Sequence, residues 1–300
     1  MSGVKAVLSP TTEEFGALQA KVKQLGADTV FSQGEIARAT EELAKNGLDT
    51  AQILGGALDA TANFASAAGT DLTNAGTIMS DAMNIFKLSA KDASLAVDQM
   101  TGVTIASKFG AQDYALALAQ GGAMAKTAGL SFTDFNTSIA AISNAFASGS
   151  DAGTSFKVFL QNLVPKSDEA AAMMEEIGFS AYDATGKLRS MRDIADNLSH
   201  SIAGMSDEQR NNTLTTIFGT DAMRAAAMIA EQGAEGFDKY AASIAKTSSA
   251  EQAKTRLDNL SGSMERLKGT IDVMMTNLGE VLGTKLRPVI DGLNSALQDM

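Results

Sequence analysis

The groupings in this sequence that come nearest to a reactive site are a glycine-rich stretch, one histidine and three pairs of adjacent glutamates. Gly149-Ser-Asp-Ala-Gly153-Thr-Ser has the composition of a loop that cradles phosphate with backbone amides. A P-loop, however, needs four residues between its glycines and Lys-Ser/Thr directly after the second. Here three residues intervene, and Lys157 comes too late. The stretch is not a nucleophile elbow either, since that turn reads G-x-S-x-G and Ser150 follows Gly149 directly. It reads instead as a loop and a helix start, with Ser150 or Asp151 opening the helix.

His200 is the single imidazole, and it falls on an amphipathic helical pattern. An exposed or boundary helix residue describes it better than a general base. The pairs Glu13-Glu14, Glu41-Glu42 and Glu175-Glu176 are sequence neighbours. Neighbouring helix residues point about 100° apart, so such pairs line solvated faces rather than sharing one substrate. The sequence therefore offers no catalytic residues, no cofactor-binding residues and no metal ligands, and reads as a protein that is not an enzyme.

Composition narrows the classes further. The chain has no cysteine, which excludes disulfides and thiolate metal sites, and one histidine cannot make a His-rich site. Lys and Arg total 24 against 35 Asp and Glu, a formal charge of -11. That balance works against gripping nucleic-acid phosphates and against binding an anionic membrane surface. No segment reaches the roughly 18 to 20 apolar residues that span a bilayer, and Met1 to Pro10 lack the pattern of a secretory signal. Trp is absent and aromatics make up 5%, so small side chains predict close, thin helix-on-helix packing rather than one thick core. The fifteen methionines are expected to fill irregular gaps between helices.

The elements follow from their punctuation. Ser32-Gln-Gly-Glu35 and Ser206-Asp-Glu-Gln209 are capping boxes, and Asn46-Gly47 is a left-handed stop. Asp49, Thr70 or Asp71, Ser89, Ser131 and Ser167 open further helices, while Gly69, Gly129 and Gly178 close them. Phe132, Phe135, Ile139, Ile142 and Phe146 form one apolar helical face, and the charge-free stretch 135–150 reads as a packed helix. Met191, Ile194, Leu198 and Ile202 form another such face. Phe179–Tyr182 and Lys187–Arg189, around the turn Asp183-Ala-Thr-Gly186, predict one small β-hairpin near 179–189. The fold class is all-α: many short helices in stacked helical hairpins, this hairpin, and a long C-terminal heptad-patterned helix.

That last helix carries the strongest pattern in the chain. Leu257, Leu260, Met264, Leu267, Ile271, Met274, Leu278 and Val281 recur at alternating spacings of three and four, the seam that a coiled coil buries. The helix is expected to run from about Ser248 to Gly283, with a break near Pro288. The seam is a candidate self-association surface, and its partner is either a second copy or another helix of the same chain. The apolar pattern after Pro288 is still running at Met300, which leads to the expectation of a longer parent protein or a truncated gene. The domain division that follows is a helical core module over 11–247 and a long amphipathic helix over 248–300.

Several blocks in fixed order resemble the conserved core of phage tail tape measure proteins. They are Phe31-Ser-Gln-Gly-Glu-Ile-Ala37 with Glu42-Leu-Ala-Lys-Asn-Gly47, then Leu88-Ser-Ala-Lys-Asp-Ala93, Ala128-Gly-Leu-Ser131 and Gly149-Ser-Asp-Ala-Gly-Thr154. Asp183-Ala-Thr-Gly-Lys-Leu188, Met205–Gln209 through Ile217-Phe-Gly-Thr220, Ala225-Ala-Ala227 and Leu286-Arg-Pro288 continue the series. The resemblance covers roughly residues 11 to 300 and carries no catalytic residues. It implies a structural protein of the virion tail lumen, made in the host bacterial cytoplasm, that scaffolds tube assembly and helps set tail length. It further implies as partners the protein itself as a homo-oligomer, the tail tube protein, tail assembly chaperones, and tail tip or baseplate proteins. A helical subunit of a contractile injection or gene-transfer particle, and a tail protein associated with a cell-wall hydrolase, are the alternatives.

Overall fold

The computed structural model describes residues 1–258 and residue 271. Among the described residues the chain is all-α. The helices are α1 (Ser2–Leu8), α2 (Thr12–Asp28), α3 (Gln33–Lys45), α4 (Thr50–Gln52), α5 (Leu58–Ala68), α6 (Leu72–Phe86) and α7 (Ala93–Ala106). They continue with α8 (Ala111–Ala128), α9 (Phe132–Ile142), α10 (Gly149–Asn162), α11 (Asp168–Glu176), α12 (Met191–Ser201), α13 (Asp207–Ala245) and α14 (Ser249–Leu257).

Local chemistry sets most of these starts. Thr11, Ser32, Asp49, Ser89, Ser131 and Ser206 each form a reciprocal capping box with the residue three positions on. A box satisfies two amides that a helix end leaves without partners. Its donors also hold the Glu14 and Asp92 carboxyls below the usual carboxylate range. Of the two candidates for opening α6, Asp71 is the cap, accepting from the Asn74 amide. The start of α10 lies earlier than expected. Ser148 accepts from the Asp151 amide, so Gly149 is already helical.

Two expected elements differ. The stretch 135–150 is not one helix: α9 ends at Ile142, a 3₁₀ turn follows over Ser143–Ala145, and Phe146 is extended. Phe146 still reaches the core, 1% exposed, with the Arg224 guanidinium 4.6 Å above its ring. The hairpin near 179–189 shrinks to a single antiparallel bridge between Tyr182 and Leu188, and no strand occurs among the described residues. Arms of three or four residues form too few ladder bonds to make strands. The turn closes on side-chain chemistry instead: Asp183 Oδ1 accepts from the amides of Thr185 and Lys187 and from the Thr185 hydroxyl, which holds its carboxyl low.

The packing is more connected than a ladder of hairpins. α12 pairs with α13 and α2 with α3, but α8 packs on α10, α3 on α6, and α10 on α13. Nearly all the buried apolar side chains form one cluster from Val4 to Ile244, not a series of thin layers. Phenylalanine explains the continuity. Phe86 meets Phe132 and Phe135, Phe135 meets Phe156, and Phe159 stacks on Phe218 at 5.0 Å, which meets Phe179. Because Phe156 also meets Phe159, seven of the thirteen phenylalanines form one continuous run, where each large ring buries much area. Met79, Met83, Met100, Met174 and Met191 are buried in the same cluster, as gap-fillers between helices should be.

α13 has 39 residues but is bent at Gly219 (φ 72, ψ 170) and Gly233 (φ 54, ψ -165). These dihedrals belong almost solely to glycine. At the first bend Asn162 Nδ2 donates to the Phe218 carbonyl at 2.7 Å, and the Ser155 hydroxyl donates to the Asp221 carbonyl at 2.7 Å. α10 thus supplies partners to carbonyls at the bend.

Candidate assembly surface

The residues with chemical potential are dispersed by the fold. The stretch 149–153 is the first turn of α10, laid against α8. A Cβ on Gly149 would run into the Asp113 carbonyl, and one on Gly153 would lie 2.6 Å from the Ala117 carbonyl. The Gly149 amide donates to Asp113 Oδ1 at 2.9 Å. These glycines therefore serve a close helix crossing, the use small residues have wherever backbones approach. Glu14 belongs to its capping box, and Glu41 and Glu42 both pair with Lys45 at 2.8 and 3.0 Å. Glu175 and Glu176 are exposed on α11. His200 is exposed near the end of α12, with Nδ1 2.8 Å from the Asp196 carbonyl. Among the described residues no group of three or more His, Asp or Glu is placed to hold a metal ion. No described helix is long and apolar enough to cross a membrane.

The seam is described only at its root. The helix expected to run unbroken from about Ser248 to Gly283 instead ends at Leu257, because Asp258 leaves the helical dihedrals (φ -84, ψ 46); Ile271 is helical and half exposed. Leu260, Met264, Leu267, Met274, Leu278 and Val281 lie outside the described residues, as does Pro288. The root itself is well defined. Ser248 caps α14 by accepting from the Glu251 amide, the start the sequence predicts. α14 then packs on α5 and α7. Asp98 of α7 accepts from both the amide and the hydroxyl of Ser249, at 2.7 and 2.6 Å. Ala253 is buried, and the Arg256 guanidinium lies over Gly69 at the end of α5. Sequence reasoning missed Asp98, because a carboxylate 151 positions from its partner has no local signature.

Beside this joint, α7, α9 and α13 enclose a cavity of about 140 Å³ lined by Leu95, Asp98, Gln99, Thr133 and Ile244. Two of its lining residues, Gln99 and Thr133, belong to a polar chain that runs on into the core. Tyr114 of α8 donates to Asn136 Oδ1 at 2.7 Å, Asn136 Nδ2 donates to Gln99 Oε1 at 3.2 Å, and Gln99 Nε2 donates to Thr133 at 3.0 Å. Burial holds the Tyr114 phenol neutral well past its ordinary range. Leu95 stays 60% exposed at the mouth. Arg192 of α12 forks onto Asp238 of α13 at 2.8 and 3.0 Å, which holds the Asp238 carboxyl low. What the arrangement offers is therefore a helical body with the root of the seam packed on it.

The comparisons with known proteins agree on one family. The sequence profile of the phage-related minor tail proteins matches residues 19–219. The chain is 27% identical over 300 residues to the "Tape measure protein" of Pneumococcus phage Dp-1, covering 99% of this chain and 26% of that protein. It is 28% identical over 274 residues to the "Probable tape measure protein" of Escherichia phage P2, covering 88% of this chain and 33% of that one. The chain thus spans about a quarter to a third of the length of the curated relatives it matches. No solved structure matches it. With the profile matched from α2 into the first bend of α13, this chain belongs to the family of phage-related minor tail proteins.

Proposed function

We propose that this chain is a structural part of a phage or prophage tail tape measure protein, scaffolding tail tube assembly and helping to set tail length. The observation that carries this reading is the family match over 19–219 together with two tape measure relatives that align along most of the chain. In this reading residues 11–247 act as a folded module. The segment from about 248 onward begins an extended, self-associating region through the seam from Leu257 to Val281. The apolar spacing of the seam supports that assignment, since alternating steps of three and four favour burial against another helix. The other partners in this reading are the tail tube protein, tail assembly chaperones and tail tip or baseplate proteins, with the tube lumen as the final location.

The test is to disrupt the gene in its phage or prophage, purify particles and probe them for the protein. The reading predicts that the protein co-purifies with tails and that disruption leaves no tails of normal length. Normal tails without the protein would refute it. A lytic assay of the purified chain on peptidoglycan addresses the enzymatic alternative, and this reading expects no activity.

A further inference from the structure

The cavity of about 140 Å³ beside α14 combines aliphatic walls with one carboxylate oxygen that has no partner among the described residues. We propose that it receives the lysine side chain of a partner protein, with Asp98 as the counter-ion. The proposal deepens the assembly reading and rests on it only for the partner being another tail protein.

The polar groups of the lining are accounted for one by one. Gln99 and Thr133 bond to each other, and Gln99 also accepts from Asn136. The Thr247 hydroxyl donates to the Ser243 carbonyl. Asp98 is partly buried, and both of its bonds, from the amide and the hydroxyl of Ser249, end on Oδ1. Among the described residues nothing donates to Oδ2, and no cation pairs with Asp98. A carboxylate partly withdrawn from water and lacking a counter-ion gains much from a charge-assisted bond.

The rest of the wall is aliphatic, from Leu95, Ala241, Ile244 and Ala245, so the site selects an alkyl stem that ends in a cation. A hard metal ion needs roughly six oxygens, and no group of three or more His, Asp or Glu is placed to hold one among the described residues. The fork of arginine is matched to two carboxylate oxygens, and Ser249 occupies one. The compact ammonium of lysine needs only one. Size agrees: a cavity of about 150 Å³ takes benzene, with about six heavy atoms, and a lysine stem with its ammonium has about five. Leu95 is 60% exposed at the mouth, where a protein carrying the lysine would cover it and keep water from the pair. The chain's formal charge of -11 also complements a basic partner.

The site is tested first on the 300-residue chain, with butylammonium as the probe and the Gln99 side-chain amide followed by NMR. Butylammonium is expected to bind, and 1-butanol, which has the stem without the charge, to bind at least about tenfold more weakly. Asp98→Asn keeps an oxygen for Ser249 and replaces the other with an amide, so it should weaken butylammonium by at least about tenfold. Ala241→Leu fills the cavity, leaves the charge, and should weaken binding too. No binding of butylammonium, or equal binding by the unaltered chain and both variants, would overturn the site. Purified tails are then treated with a carbodiimide, which joins a carboxylate to a lysine in contact with it. The expected product links Asp98 to a lysine of another tail protein and is lost in Asp98→Asn. A link to a second copy of this chain, or no link in tails that contain it, would overturn the partner. Tails without this chain would refute the assembly reading and the tail partner with it, while the butylammonium result still decides the site.

Discussion

Tyr114 and Asn136 meet inside the body through a 2.7 Å hydrogen bond from phenol to amide oxygen, with both residues fully buried. The bond ties α8 to α9, and through Gln99 it extends to α7. Tyr114→Phe keeps the ring and leaves the Asn136 oxygen without that donor. A buried acceptor stripped of its donor costs about 1–3 kcal/mol. Urea unfolding of the two proteins checks this.

The same tyrosine makes a pH prediction. Burial raises its pKa above the ordinary 10.0 in the folded chain, while the unfolded chain keeps the ordinary value. Above pH 10 the unfolded state gives up this proton and the folded state does not. Stability from this group is thus full below pH 10 and is lost as pH rises toward the folded pKa. The stability difference between the unaltered chain and Tyr114→Phe should therefore shrink between pH 9 and 11. A constant difference would show that the phenol does not titrate in this way.

Two glycines give opposite outcomes on the same substitution. Gly153→Ala places a methyl 2.6 Å from the Ala117 carbonyl, where the backbones of α8 and α10 cross. Overpacking of this kind costs about 1–3 kcal/mol. Gly16 lies within α2 with nothing within 4 Å of its would-be Cβ. Gly16→Ala should stabilise by up to about 1 kcal/mol through helix propensity alone. Thermal melts of both variants decide whether the crossing is as tight as described.

The bend in α13 can be probed from both sides. Gly219→Ala forces an L-residue into a φ of 72 with extended ψ, a cost of about 1–3 kcal/mol. Asn162→Ala removes the donor to the Phe218 carbonyl and should cost about 1–2 kcal/mol. If Asn162 serves the bend, the double variant costs less than the sum of the two, because the second change finds the bend already disturbed. Strict additivity would separate them.

The sequence was most legible where the physics is local. The boxes at Ser32 and Ser206 involve residues three apart, so both partners stand in one short window. α12 and its buried face follow from the spacing of Met191, Ile194 and Leu198. The end of α6 had no such signal, since Lys87 takes the left-handed position that glycine usually fills. The role of Gly149 and Gly153 depends on a neighbouring helix, and one sequence window cannot distinguish a tight loop from a tight crossing. The phenylalanine spine was hidden for the same reason: composition counts aromatics but not their meeting points. Asp98, which anchors the root of the seam, depends on a contact across 151 positions.

The central claim is that this chain belongs to the measuring structure of a tail, and tail length is its most direct readout. In-frame duplications of two heptads within residues 257–284 add fourteen residues in register with the seam. At the rise of an α-helix they should lengthen tails by about 21 Å in electron micrographs of purified particles. Tails of unchanged length, with the altered protein present in them, would contradict the claim that this region measures.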